Sequence, residues 1–208
     1  MSVDAALQCR CGEVRGRVAN ASPASANRAV CYCADCQAFL QALERTDLFS
    51  DAQGGSDIVQ IAPNALTFER GQDRIACLRL TPKGLFRFHS TCCRAPLGNL
   101  VGTGVPFIGI LVPAFSVDGR TATDAFGPSR GSIWGKAAIG TPPPGSDDLN
   151  LGLMLHAMRM VLGWKLTGKT WPHPFFERGA KAPRYPVRVL TAAERDALRA
   201  LTGPRPAR

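Results

Sequence analysis

No segment of this sequence is long and apolar enough to span a membrane as a helix, which needs ~20 consecutive apolar residues. The most apolar stretch, residues 105–115, is interrupted by Pro106, Gly109 and Pro113 and reads as a buried strand. The opening MSVDAALQCRCG has no basic run followed by a long apolar core. A secretory leader is therefore not expected, and a reducing cytoplasm is the expected compartment. Runs of Lys and Arg are also lacking. Basic residues number 25 against 16 acidic ones, a formal charge of +9, yet they are scattered. Charge of that sign suits an anionic partner without choosing one. A nucleic-acid face would gather its basic residues and interleave them with aromatics, so nucleic acid is not the expected partner. No His–carboxylate pair stands out as a general acid–base couple, and no repeat recurs at solenoid period.

What is present is a core-forming composition. Hydrophobic residues make up 45% of the chain, which rules out wholesale disorder. A length of 208 residues allows one domain with a modest extension. Residues 5–140 read as mainly β. Strands are expected in LQCRCGEVRGRV, NRAVCYC, IVQIA, ALTFE, IACLRL, LFRFH and PFIGILV. One short helix is expected over residues 34–48, where Phe39, Leu40, Leu43 and Leu48 break period-two alternation. SDAQGGSD is a loop, and TPKG is a hairpin turn using Pro82 and Gly84.

Residues 141–208 differ in character. TPPPGSDD is a stiff linker. A helix follows it, capped by Asp147 or Asp148 and ended near Gly168 and Lys169. Its residues Leu151, Met154, Leu155, Met158, Leu162 and Leu166 share one face, which is expected to pack on the β core. His156 lies opposite that stripe and reads as a surface residue. WPHPFFERGAKAPRYP is a loop containing His173, and Thr191 with Glu194 forms a capping box for a last helix. Trp134, Trp164 and Trp171 are expected as core or docking anchors.

The eight cysteines carry the chemistry. Cys9 and Cys11 form one group, Cys31, Cys33 and Cys36 a second, and Cys92 and Cys93 a third with His89 just upstream. Cys77 stands apart and reads as an inert buried thiol. Clustered cysteines in a reducing compartment point to metal binding more than to disulfides, and Cys31 and Cys33 are too close for comfortable bridging. Thiolates suit tetrahedral zinc. The second group supplies three donors within six residues, leaving one position of a tetrahedral ion open, as catalytic zinc sites do. An unseen fourth ligand would make the same group structural. The first and third groups together supply four thiolates and would tie an early strand to a later hairpin, as a closed structural site does.

At these residues the chain resembles the glutathione-dependent formaldehyde-activating enzyme family, whose domain also occurs in centromere protein V. The matching elements are CRCGEVRG, CYCADCQAF, the GG loop at Gly54 and Gly55, and FHSTCCRAPLGN, spanning roughly residues 8–115. The resemblance implies a mainly β fold of the β-tent (Mss4-like) kind, antiparallel sheets clamped by zinc, here with a C-terminal helical extension. It implies two zinc ions per chain. Cys31, Cys33 and Cys36 would hold the catalytic one, and Cys9 and Cys11 would hold the structural one with the knuckle. The sequence departs from the family at that knuckle. CRAPL aligns with the family's C-G-T-P-L, so Cys93 takes the second ligand position and the first falls on Ser90, a poor zinc ligand. Cys92 or His89 must substitute, and Cys92 is the expected ligand, because a lone His in a strand is more often a structural hydrogen-bonder.

The implied activity is carbon–sulfur lyase chemistry. Glutathione, as thiol co-substrate, adds to formaldehyde or a related small aldehyde. A thiol bound at the open position would be held as thiolate, so no dedicated base is required. Asp35 is either a second-layer orienting group or a turn residue between ligands. Arg10, Arg15, Arg17 and Arg94 flank the motifs and are candidates for glutathione's carboxylates. The rival is a non-enzymatic, zinc-stabilised binding module.

Overall fold

Alternating burial sets the first sheet. In β1 (Val3–Gln8) Ala5 and Leu7 turn inward, and in β2 (Arg15–Ala21) Gly16, Val18 and Ala21 do so. These strands pair antiparallel, and β5 (Leu66–Arg70) joins the far side of β2, giving the order β1-β2-β5. Gly16 is required there, because a Cβ would lie 2.5 Å from the Thr67 carbonyl oxygen. The structure, a computed structural model, describes residues 2–115, 121–146 and 150–204.

The second sheet has eight strands in the order β10-β3-β4-β9-β8-β7-β6-β11. They are β3 (Asn27–Cys31), β4 (Ser56–Ile61), β6 (Ile75–Arg79), β7 (Phe86–Ser90), β8 (Pro96–Leu100), β9 (Ile108–Leu111), β10 (Ser132–Ile133) and β11 (Val187–Val189). The two edge strands run parallel to their neighbours, and all other pairs are antiparallel. The fold is therefore mainly β with a mixed sheet. Leu7, Val18 and Phe68 of the small sheet pack against Val59, Phe88, Leu97 and Ile108 of the large one. Phe175 closes this core from the C-terminal region, stacked on Phe88 at 3.9 Å and edge-on to Phe68 at 5.5 Å. Burying each such ring contributes about 3 kcal/mol.

A smaller apolar cluster lies under α1 (Ala34–Ala42), where Ala38, Phe39 and Leu43 meet Leu78, Leu80 and Leu190. The helix stops earlier than residue 48 because Glu44 adopts a left-handed φ of 54°; a separate 3-10 turn follows at Thr46–Leu48. Two further helices are α2 (Ala122–Phe126) and α3 (Leu151–Leu166), and α4 (Ala192–Arg199) packs on α1.

Several expectations are corrected. The segment Pro96–Leu100 is a wholly buried strand, although its proline, glycine and asparagine disguise it. Gly98 is there because a Cβ would press on Ile108 and the Phe175 ring at 3.0 to 3.1 Å. The stripe of α3 does not face the core: Leu151, Met154, Leu155, Met158, Leu162 and Leu166 are all exposed, and Leu153 and Trp164 are the buried residues. The opposite face is also apolar, so periodicity alone does not choose which side docks, and the large Trp164 ring decides it. His156 is accordingly half-buried, 3.4 Å from the Ala26 carbonyl oxygen. Trp134 is 59% exposed and is not a core anchor. His173 lies in the expected loop and is buried there. The cap of α3 is Asn150, whose side chain accepts from the Leu153 N–H at 2.9 Å; Asp147 and Asp148 lie outside the described residues.

Candidate metal centres

Two tight turns build the first centre. After β1 the chain closes through Cys9 N–H donating to Val14 O (3.0 Å) and Gly12 N–H donating to Cys9 O (2.9 Å), with Gly12 at a φ of 75° that favours glycine. After β7, Ser90 N–H donates to Ala95 O at 2.8 Å, and Arg94 takes a left-handed φ of 55°. These turns bring Cys9, Cys11, Cys92 and Cys93 together, all four sulfurs within 4.8 Å of one another. Cys9 Sγ is 3.5 Å from Cys11 Sγ and 3.8 Å from Cys92 Sγ, and Cys11 to Cys92 is 3.3 Å. Sulfurs on one tetrahedral zinc stand about 3.8 Å apart, so this donor set fits such an ion. Cys92 is in the group, and His89 is not. His89 Nδ1 instead lies 3.2 Å from Ser90 O. Ser90 Oγ sits 3.4 Å from Cys93 Sγ and accepts from Ala95 N–H at 2.9 Å, so it braces a ligand from behind.

The second centre is assembled within one strand–helix junction. Cys31 ends β3, Cys33 is the N-cap of α1 and Cys36 lies in its first turn. Cys33 Sγ accepts the Cys36 N–H at 3.4 Å, taking the place of the usual cap oxygen. A helix N-terminus favours negative charge, including a thiolate, and Asp35 adds an acid to the same turn. The three sulfurs lie within 4.8 Å of one another, with no fourth Cys, His, Asp or Glu donor in the group among the described residues. Cys31 and Cys36 are buried, and Cys33 is half-buried.

Protons are shared unequally in both centres. In the triplet, hydrogen bonds from Cys31 and Cys33, helped by the Arg87 charge, hold the Cys36 thiol well below its usual range. Cys31 is pushed well up by its bonds to Cys33 and Cys36 and by burial. Cys33 is lowered by Cys31, but its bond to Cys36 and burial outweigh that and push it up to about 12. In the quartet, burial raises Cys93, yet hydrogen bonds from Ser90 and Cys11 bring it down to about 6. Burial and neighbouring thiols push Cys92 up to about 12.

Three groups around the triplet escaped sequence reasoning. Arg87 in β7 is fully buried, its Nη1 3.9 Å from Cys36 Sγ and its guanidinium 5.3 Å from the Phe39 ring centre. Gln37 is also buried, and its Nε2 donates to Tyr32 O (2.7 Å) and Ala137 O (2.9 Å), while its Oε1 accepts from Gly203 N–H (2.7 Å). Tyr32 Oη donates to Asp51 Oδ2 at 2.7 Å, and Asp51 Oδ1 accepts from the Gly55 N–H at 3.0 Å. The GG loop is thereby anchored to the Tyr32 between two cysteines. The only sequence signal was a lone arginine between two phenylalanines in a strand, which by alternation reads as solvent-facing. It is buried because α1 covers that side of the sheet.

The flanking arginines divide. Arg17 pairs with Asp4 and Glu69, Arg94 with Glu44, and Arg15 donates to the Gly12 carbonyl. Arg10 lines a cavity of ≈ 250 Å³ beside Cys9, together with Arg45, Leu48 and Pro113. Cys77 is buried outside both centres, its thiol raised to about 11 by burial.

Fold and sites together define a mainly β protein with two cysteine centres, each able to hold a metal ion. Residues 1–184 match DUF6151, a family of unknown function, and the chain belongs to that family. No curated protein matches it. Among the described residues no helix is long and apolar enough to cross a membrane.

Proposed function

We propose that this protein is a zinc-dependent enzyme of the carbon–sulfur lyase type, acting on adducts of glutathione or a similar thiol with a small aldehyde such as formaldehyde. The observation that carries the reading is the three-sulfur group at Cys31, Cys33 and Cys36, which offers an ion three protein donors and no fourth among the described residues. The resemblance of CRCGEVRG and CYCADCQAF to the glutathione-dependent formaldehyde-activating family supports it, and extends the same reading to a β-tent arrangement of the two sheets. Zinc held by these cysteines would supply a Lewis-acidic fourth position at which a thiol loses its proton at neutral pH.

The chain's own residues do the rest. Cys33 is fixed by its capping bond, and Cys36 by its place in the first helical turn. Gln37 and the Tyr32–Asp51 bond hold the strand–helix junction rigid, so the three sulfurs are pre-organised rather than gathered by the metal. The quartet has the opposite role. Its four thiolates fill a tetrahedral ion and leave no place for a substrate.

The test is metal content followed by turnover. Protein purified without chelator is expected to carry two zinc ions per chain and to accelerate exchange between formaldehyde and glutathione, read by NMR. Cys33→Ala should lose one zinc and that acceleration. Two zinc ions with no acceleration of any thiol–aldehyde exchange would overturn the lyase reading and leave a zinc-stabilised binding module. Turnover that survives loss of the triplet zinc would overturn the mechanism.

A further inference from the structure

Arg87 is the most deeply buried charged side chain near either centre; Arg45, beside the quartet, is also buried but is paired with Asp47. A guanidinium stays protonated at every pH a folded protein meets. Buried without a counter-charge, it is strongly destabilising. Among the described residues no carboxylate forms an ion pair with it. Its Nη1 points at Cys36 Sγ from 3.9 Å, long for a hydrogen bond to sulfur but close for a charge contact, and its plane sits over Phe39. The residues beside it in the ladder, Leu78 and Asn99, bring no charge.

Charge counting gives this position a meaning. Three thiolates on a divalent ion carry a net charge of −1, in a site where Cys31 and Cys36 are buried. A low-dielectric surrounding penalises that charge unless a cation is fixed nearby. We propose that Arg87 is the built-in counter-ion of the triplet, a positioning residue that makes a buried tris-thiolate divalent metal centre electroneutral and thereby sets its metal affinity. This rests on the reading of the triplet as a metal centre. It adds the residue that makes that centre affordable inside the fold, and it separates the two centres chemically. The quartet has exposed Cys11 and Cys92, so water can screen its charge, and the arginine beside it, Arg45, which donates to Cys93 O at 3.3 Å, is already paired with Asp47.

The experiment uses the full-length protein, stripped and reloaded with cobalt(II) or zinc, with the quartet as internal control. Affinities are read by competition with a chromophoric chelator, and the thiolate-to-cobalt charge-transfer band reports each centre. Cys31→Ser identifies the triplet's share of that signal. Arg87→Met is expected to weaken the triplet 10- to 100-fold, the range for lost supporting contacts, and to leave quartet affinity unchanged. Arg87→Lys should recover most of the affinity, since it keeps the charge. Equal triplet affinity in wild type and Arg87→Met would overturn the counter-ion role while leaving the metal reading intact. A wild-type triplet that takes up no metal would overturn the metal reading itself. Should Arg87→Met not fold alone, the cycle with Cys36→Ala decides. The double variant is expected to be more stable than the sum of the single effects, and strict additivity would overturn the pairing.

Discussion

The two cysteine centres use the same ligand chemistry in opposite settings. The quartet joins turns 81 to 83 residues apart in sequence, and Cys11 and Cys92 lie open to solvent. The triplet draws all its sulfurs from one strand–helix junction, two of them buried, with a guanidinium behind them. An ion that ties distant segments closes a long loop and adds its binding energy to folding. An ion held within six residues closes almost nothing, so its energy is available for chemistry. On the proposed reading, ligand spacing along the chain, rather than ligand type, divides structure from function here.

The sharpest way to break this comparison is to remove one sulfur from each centre. Cys92→Ser should largely abolish cooperative folding or lower Tm severely, because the clamp between β1 and β7 is lost with its metal. Cys33→Ser should change Tm little by comparison while removing one metal. Thermal melts with metal analysis check both, and equal destabilisation would erase the distinction. In metal-free protein, mild peroxide should oxidise the quartet, where Cys11 and Cys92 are exposed, before it touches buried Cys31 or Cys36. Peptide mapping reads the order.

Acid sharpens the comparison next, since protons compete for thiolates at both centres. A separate contribution comes from His173, which burial, and then the nearby Arg184 charge, push down to about 4. Its folded pKa is below the unfolded value, so its contribution is fully present above about pH 6.5 and is lost as pH falls toward 4. The loss amounts to about 3 kcal/mol at most. His173→Gln should flatten that part of the stability profile and leave metal release unchanged. A profile that stays equally steep would assign the acid loss to the thiolates.

Smaller changes probe the triplet's scaffold. Gln37→Ala removes three hydrogen bonds, two of them buried, and should cost about 1–3 kcal/mol. It should loosen metal at the triplet and spare the quartet. Thr191→Ala removes the capping box of α4 and should cost about 1 kcal/mol. Because α4 leans on α1, the triplet should feel it first, as faster metal exchange.

The β strands with clear alternation were legible, as was the capping box at Thr191, because those signals are local. β8 was not, since its Gly98 answers to Phe175, a residue 77 positions onward in the chain. The docking face of α3 was misread because both faces are apolar. For the sites, cysteine spacing marked all seven clustered thiols. It favoured Cys92 over His89 for the knuckle, and the bend of the β7–β8 turn does bring Cys92 into the group.

The sequence by itself determined the ligand type, the three cysteine groups and which cysteine stands alone, since thiol chemistry and short spacing need no long-range information. Tertiary structure alone decided that Arg87 faces Cys36 and that the C-terminal segment braces the triplet through Gln37. These are contacts between residues far apart in the chain, and only the packing of α1 and the C-terminal segment against the sheet brings them within bonding distance.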